Sequence, residues 1–488
     1  MKTERLRPIM FAGTGSDVGK SIINTAFCRI LLQDGYSPAP FKAQNMSLNS
    51  YATKDQLEIG RAQAVQAEAC GIECTADMNP ILLKPTSHTC SQVVLNGKPS
   101  GNKNAAEYFS GAGGDKLFKT VTKAYDNLAN TYNPIVLEGA GSISELNLKS
   151  RDIVNMRMAL YSKAAVYLVA DIDRGGVFAS VYGSIMLLPQ EERSLIKGII
   201  INKFRGDINL FKEGGRMIEE LTGIPVVGVL PWFDDIEIDQ EDSVILERRV
   251  AKTDAGKVTI AVVHLRHMSN FTDFGPLEQL SNINLVYTRD PAVIEEADIV
   301  IIPGSKNTIE DLNNLRKSSL AGSLLRRHKS GKSIYGICGG FQIMGKWIYD
   351  PNHIEGDTEA APGLGIFPVE TTLLPGKRSR RCSFTLINSN GCGDGYEIHS
   401  GETSTDNPFA TLDTGEADGY FLNSKTWGTY IHGIFDNPSV ISLILDDLNI
   451  KNPAIMEKRE SKEDNYNKLA KWFRDNSNIS YIYDTLRK

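Results

Sequence analysis

The feature that most restricts the fold of this chain lies near its start: an apolar run from Pro8 to Ala12, the segment Gly13-Thr14-Gly15-Ser16-Asp17-Val18-Gly19-Lys20-Ser21, and a helical run from Ile22 to Leu32. Strand, glycine loop and helix N-terminus in that order make an anion site. The glycines let backbone N–H groups turn inward, Lys20 brings a point charge to outer phosphates, and the Ser21 hydroxyl suits Mg²⁺. The spacing departs from the common phosphate loop, whose first glycine would stand where Thr14 is found.

Short apolar runs bounded by glycine recur between helical patterns at Pro134 to Leu137, Ala165 to Ala170, Gly198 to Ile201 and Val226 to Leu230. This alternation predicts a parallel sheet wrapped by helices over residues 1–235. The texture changes after Trp232, where Asp234, Asp235, Glu237, Asp239, Glu241 and Asp242 crowd together, so 236–256 reads as a charged connection between domains. Alternation restarts with Val258 to Val263, Ile299 to Ile302 and Ser333 to Ile337, predicting a second α/β domain over 257–440. Residues 441–488 read as a charged helical tail, with Leu443, Leu445, Leu448, Trp472 and Phe473 available for docking.

Two domains suit a length of 488 residues. No segment reaches the roughly 18 consecutive apolar residues of a membrane span, and Met1 to Pro8 leaves no room for a signal peptide before the first strand. Seven scattered cysteines point to reduced thiols and a cytoplasmic setting rather than a disulfide framework. Cys70 and Cys74, four apart on an expected helix, have no second pair at zinc spacing and read as structural thiols, as do Cys382 and Cys392. The net charge of −6 argues against nucleic acid as a partner. Small-molecule substrates are the expectation, with a homo-oligomer left open.

Magnesium needs hard oxygen ligands, and open parallel sheets bind ligands at the carboxyl ends of their strands. Glu138, in Leu137-Glu138-Gly139-Ala140-Gly141, and Asp171 or Asp173, in Val169-Ala170-Asp171-Ile172-Asp173, are placed there. The expected metal set is Ser21, Glu138 and Asp171. Asn202-Lys203, following the strand Gly198 to Ile201, suits either base recognition or a strand-ending turn.

In the second domain, Ser333-Ile334-Tyr335-Gly336-Ile337-Cys338-Gly339-Gly340-Phe341-Gln342 puts one cysteine at the end of an apolar strand, with glycines crowding the turn into the next helix. This is the pattern of a nucleophile elbow: the helix start favours thiolate, and the Gly339 N–H can bind an oxyanion. A second donor is expected from Pro303-Gly304-Ser305-Lys306. Thiolate catalysis needs a base, and His432 in Thr429-Tyr430-Ile431-His432-Gly433 is the first choice. His399 competes for that role, and Glu397 or His399 is a candidate to orient the pair. Tyr51, Arg61 and Gln63 are candidates for substrate contact or plain surface residues.

Together these motifs resemble the cobyric acid synthase family, amidotransferases of adenosylcobalamin biosynthesis. The resemblance covers almost the whole chain. It includes Phe41-Lys42-Ala43-Gln44-Asn45-Met46-Ser47-Leu48-Asn49-Ser50, the Glu138 turn, Asp171-Ile172-Asp173-Arg174-Gly175-Gly176-Val177-Phe178, Asn202-Lys203-Phe204-Arg205-Gly206-Asp207, Asn270-Phe271-Thr272-Asp273-Phe274, and the Cys338 and His432 segments. The phosphate loop is similar to that of dethiobiotin synthetase, which accounts for its spacing. The second half resembles a class I glutamine amidotransferase.

The resemblance implies an ATP- and Mg²⁺-using domain that activates carboxylates, followed by a glutaminase with Cys338 as nucleophile, His432 as base, and Gly304, Ser305, Gly339 and Gln342 at the glutamine and oxyanion site. It further implies amidation of the b, d, e and g carboxylates of adenosylcobyrinic acid a,c-diamide through acyl phosphates. Many class I enzymes carry a Glu two residues after the histidine. Ile434 stands there, so the third member of the site is assigned to no residue. Ile143-Ser144 replaces a Pro-Ala pair common in relatives. Gln44-Asn45, where the sister enzyme that amidates the a and c carboxylates carries an Asp, favours the present family over that sister. A partitioning-type ATPase switch would need neither Cys338 nor His432.

Overall fold

Ile9–Gly13 has every residue buried, which places it inside a sheet covered on both faces. The computed structural model describes residues 4–86, 90–104, 108, 111–233, 236, 238, 257–280, 282–389, 391–448 and 461–487. In it this strand pairs in parallel with Ala165–Asp171 on one side and Ile135–Glu138 on the other. The full order is Val226–Pro231, Ile196–Phe204, Ala165–Asp171, Ile9–Gly13, Ile135–Glu138, Ala39–Phe41, and every pairing is parallel. The five apolar runs of the first half are all strands of this sheet. One end differs from expectation: Ile196–Phe204 runs past Ile201, so Asn202 and Lys203 are strand residues and not a turn that follows it. Asn202 stays in register with Asp171, and Lys203, at φ 60, turns its ammonium onto that carboxylate.

The second domain repeats the plan with the order Ile283–Thr288, Val258–Val263, Ile299–Ile302, Ser333–Ile337, Thr426–Thr429, Tyr420–Asn423, parallel except for the last pair. Two smaller additions fall outside the expected alternation, the first a mixed sheet in which only Gln44–Met46 and Ile81–Pro85 pair in parallel, the second antiparallel. Gln44–Met46, Ile81–Pro85, Cys90–Leu95 and Lys98–Asn104 form a small sheet in the first domain. Glu370–Leu386 and Cys392–Thr403 form a long hairpin in the second. Arg61–Ala69 stops before Cys70, so Cys74 stands off the helix on which it was expected. All seven cysteines are thiols outside any disulfide.

The tail divides between the domains. Pro438–Asp447 packs Val440, Ile441, Ile444 and Leu445 into the second core, while Lys462–Asp475 and Ile479–Arg487 return to the first. There Phe473 sits edge-on to Phe11 and Phe27, with ring centroids 6.4 and 6.1 Å apart, and Leu469, Ala470, Ile482 and Leu486 complete that face. The Arg7 N–H donates to Leu486 O at 2.9 Å. Of the connection expected over 236–256, only Ile236 and Ile238 fall among the described residues, and both pack on the first domain.

The domains meet through a buried charge cluster. Glu58 accepts from Lys84 of its own domain at 2.7 Å and from Lys377 of the hairpin at 2.7 and 2.8 Å. Burial opposes ionisation of Glu58, but the two ammonium groups outweigh it and hold the carboxyl well below its usual range. Two cations share one carboxylate, and burial, reinforced by Lys84 and Lys306 against the pull of Glu58, pushes Lys377 down to about 7.

Candidate active sites on one cavity

The phosphate loop is braced from three sides. Gly19 caps the helix Lys20–Gln33 at φ 96, and a β-carbon there would lie 2.1 Å from Asn202 Nδ2. Asn202 Nδ2 donates to Val18 O at 2.8 Å, so its amide shapes the loop from the adjacent strand. Lys20 Nζ donates to Gly15 O at 2.8 Å and Gly141 O at 3.0 Å, joining the loop to the Glu138 glycine turn.

Glu138, the last residue of its strand, accepts from the Ser21 hydroxyl at 2.8 Å, Lys42 Nζ at 2.8 Å and Gln66 Nε2 at 2.6 Å. Burial favours its neutral form, but Lys42 overrides that with help from Gln66 and Ser21, and the carboxyl is held below its ordinary range. Two expected metal ligands are thus in contact: Ser21 and Glu138 offer hard oxygens beside the lysine of a phosphate loop, a donor set that fits Mg²⁺ completed by phosphate and water. Among the described residues no group of three or more His, Cys, Asp or Glu would hold a metal unaided. Asp171 is engaged differently, accepting from Lys203 at 2.9 Å and from the Asp173 N–H at 2.8 Å, with Arg174 at 3.6 Å. Asp173 pairs with Arg205. Lys42, which sequence reasoning gave no separate role, is the cation that ionises Glu138.

In the second domain Cys338 stands between the strand Ser333–Ile337 and the helix Gly339–Met344 at φ 51, ψ −109, a conformation costly for a residue with a side chain. Its N–H donates to Thr429 O at 2.8 Å. The elbow depends on Gly340, whose absent β-carbon would lie 1.9 Å from Ile302 O. A β-carbon on Gly339 would fall 2.7 Å from Ser305 N, so the two expected oxyanion segments face each other. Gly304–Ser305 pairs with Met268–Ser269. The Ser305 hydroxyl donates to Asp311 Oδ2 at 2.6 Å, and Asp311 is also bonded to His267.

His432 is buried beside Cys338, and its ring stacks on Tyr396 with centroids 5.4 Å apart. Its Nδ1 lies 2.7 Å from Asp273 Oδ2, while Asp273 Oδ1 accepts the Gly433 N–H at 2.9 Å. Burial disfavours the imidazolium, but Asp273 and then Cys338 outweigh it and raise His432 to about 10. Asp273 therefore occupies the orienting place left open by Ile434. It was quoted in a motif of the sequence, but nothing in the spacing joins it to a histidine so far along the chain.

His399 points its nitrogens elsewhere, to Gly401 O at 2.7 Å and Glu397 Oε1 at 3.2 Å, and stacks on Tyr430. Glu397 in turn is bound by Arg380. Gln342, on the helix after Cys338, accepts from Thr308 and donates to Tyr430, each at 3.2 Å.

The phosphate-loop site opens on a cavity of ≈ 2070 Å³ that reaches the residues flanking His432, although neither Cys338 nor His432 is among its lining. Lys20, Ser21, Glu138, Asp171 and Asn202 line it on one side and Asp273, Tyr396 and Gly433 on the other. Tyr51 and Arg61 also face it, whereas Gln63 is buried against Asn45.

Two family models match the chain in succession. Residues 9–245 match the CobQ/CobB/MinD/ParA nucleotide binding domain, and residues 259–440 match the CobB/CobQ-like glutamine amidotransferase domain. Curated relatives called cobyric acid synthase are 54% identical in Bacteroides fragilis and 53% in Parabacteroides distasonis, each over 99% of both chains. Another, from Syntrophobacter fumaroxidans, is 43% identical over 98% of both.

Proposed function

This chain belongs to the cobyric acid synthase family of glutamine-dependent amidating ligases, and on that premise we propose that it converts adenosylcobyrinic acid a,c-diamide to adenosylcobyric acid, amidating the b, d, e and g carboxylates. The observation that carries this reading is the single cavity that has the phosphate loop on one wall and Asp273 and Gly433, both bonded to the base histidine's segment, on the other.

In the glutaminase half, Cys338 Sγ attacks the side-chain amide carbon of glutamine. The oxyanion is taken by backbone N–H groups of Gly339 and the Gly304–Ser305 segment. His432 delivers a proton to the departing nitrogen, ammonia leaves, and a glutamyl thioester remains for water to hydrolyse. Asp273 holds the imidazole in the orientation and charge state this transfer needs.

In the synthetase half, a corrin carboxylate oxygen takes the γ-phosphoryl group of ATP, because a carboxylate has no adequate leaving group until that oxygen carries phosphate. Lys20 and the loop N–H groups balance the charge on the transferring group. Ser21 and Glu138 would hold Mg²⁺, which supplies further charge neutralisation at the phosphates; Asp171 is the candidate for an outer contact. Ammonia then adds to the acyl carbon, and amide and phosphate result. We place this chemistry in the cytoplasm, with corrin, glutamine and ATP as the small-molecule substrates and a homo-oligomer left open; no helix among the described residues is long and apolar enough to cross a membrane.

The test is mass spectrometry of adenosylcobyrinic acid a,c-diamide incubated with the protein, ATP, Mg²⁺ and ¹⁵N-amide glutamine. Four successive labelled amides are expected. Glutamine hydrolysis without any addition would reject this acceptor, and labelling of cobyrinic acid at the a and c carboxylates instead would assign the sister reaction.

A further inference from the structure

Asp273 owes its position to a turn that the other domain holds. The turn Phe271–Phe274 is entered through Asn270, whose backbone is left-handed at φ 52, and the Asp273 N–H donates to Asn270 O at 3.0 Å. Two hydrogen bonds cross between the domains at this entry. The Ser50 N–H donates to Asn270 Oδ1 at 2.9 Å, and the Phe271 N–H donates to Asn49 Oδ1 at 3.1 Å. Asn49 and Asn270 are 1% and 2% exposed, so neither bond is shared with solvent and losing either strands a buried polar group.

The seat on which Asn270 rests is fixed within the synthetase domain. The Asn49 N–H donates to Ser47 Oγ at 3.0 Å, the Arg61 N–H donates to Asn49 O at 3.1 Å, and Lys84 Nζ donates to Ser50 Oγ at 2.8 Å. The same stretch of chain begins at Lys42, which ionises Glu138 beside the phosphate loop, and continues through Gln44 and Asn45 along the cavity wall. A left-handed turn alone asks only for a residue that tolerates positive φ. It does not require the Asn270 side chain to accept a backbone N–H from another domain.

We propose that Asn270 is a positioning residue of the glutaminase: docked on Asn49 and Ser50, it sets Asp273 and through it His432, so that glutamine is hydrolysed efficiently only when the cavity-lining segment of the synthetase domain is seated. This deepens, and rests on, the amide-transfer reading above.

The test uses two variants of the full chain. Asn270→Gly keeps the left-handed backbone accessible and deletes the acceptor, whereas Asn270→Asp keeps both. Glutamate release is measured with glutamine, and amide formation is measured with an ammonium salt in its place. For Asn270→Gly the glutamine kcat should fall roughly 10- to 100-fold, the effect of a small misplacement of a catalytic group. The glutamine KM and the ammonia-dependent rate should each stay within about twofold, because only transition-state alignment is lost. Asn270→Asp should recover most of the kcat. An unchanged kcat in Asn270→Gly, an equal loss of ammonia-dependent synthesis, or an Asp variant no better than the Gly variant would each overturn the proposal. Absence of glutamate release by the unmodified chain would instead remove the functional reading itself, and the proposal with it.

Discussion

His432 and Asp273 are 159 positions apart in the chain and 2.7 Å apart in the structure. The position two residues beyond the histidine, where many class I amidotransferases carry a Glu, is Ile434 in this chain. Here the carboxylate arrives from a different turn, at the domain boundary. Its second oxygen also takes the Gly433 N–H, so one carboxylate fixes both the imidazole and the backbone that carries it.

Replacing Asp273 with Asn should lower glutamine-dependent kcat by roughly 10²- to 10⁴-fold, the range spanned by a positioned acid–base group, and leave ammonia-dependent synthesis near its original rate. The pH profile supplies the sign. With Asp273 and Cys338 outweighing burial, His432 keeps its proton to about 10, so the alkaline limb of glutamate release should lie near that pH and move downward in Asp273→Asn. The same raised value contributes stability that is complete below the ordinary histidine value of 6.5 and is lost as pH climbs through about 10. An alkaline limb that does not move would count against the Asp273–His432 pairing.

Cys338→Ala should abolish glutamate release altogether while amide formation from ammonium salts persists. Loss of both activities in a variant that melts normally would mean that the two sites are not separable.

Glu138→Gln should have the opposite signature. Glutamate release continues, but amide formation fails with either nitrogen source, because the carboxylate shared by Ser21 and Lys42 is gone. Removing the carboxylate charge from beside the buried Lys42 ammonium should also lower the melting temperature. Wild-type synthesis from ammonia would remove Glu138 from the reaction.

Phe473→Ala should destabilise the synthetase domain by about 3–5 kcal/mol, the usual cost of truncating a buried phenylalanine, since its ring fills the space against Phe11 and Phe27. Calorimetry should show a lower transition that nucleotide raises. A melting curve unchanged from the parent would contradict the packing of the tail on this domain.

The two parallel sheets were legible because strands buried on both faces must be nearly all apolar, as Ile9–Gly13 and Ile299–Ile302 are. The phosphate loop and the Cys338 elbow were legible because both need glycine at fixed offsets for steric reasons. The Glu370–Leu386 hairpin was missed although Cys382, Phe384 and Leu386 alternate as buried residues, because only a few of its residues face a core and Arg378, Arg380 and Arg381 interrupt the pattern. The end of Ile196–Phe204 was misplaced for an electrostatic reason: Lys203 is kept in the strand by Asp171, and that attraction is invisible until the strands are side by side. Asp273 could be quoted but not assigned, since the partner that gives it meaning is reached only through the fold.

The contact between Arg7 and Leu486, with helices Lys462–Asp475 and Ile479–Arg487 packed over Phe11 and Phe27, bears on the order of events during translation. The synthetase segment leaves the ribosome first, yet the face of its sheet that Lys20–Gln33 covers only in part is completed by helices that follow the whole second domain. Among the described residues the amidotransferase core takes nothing beyond Leu448. The domain encoded second is therefore the first able to close, and the nascent synthetase domain must wait, with part of that apolar face exposed, for helices encoded after its neighbour.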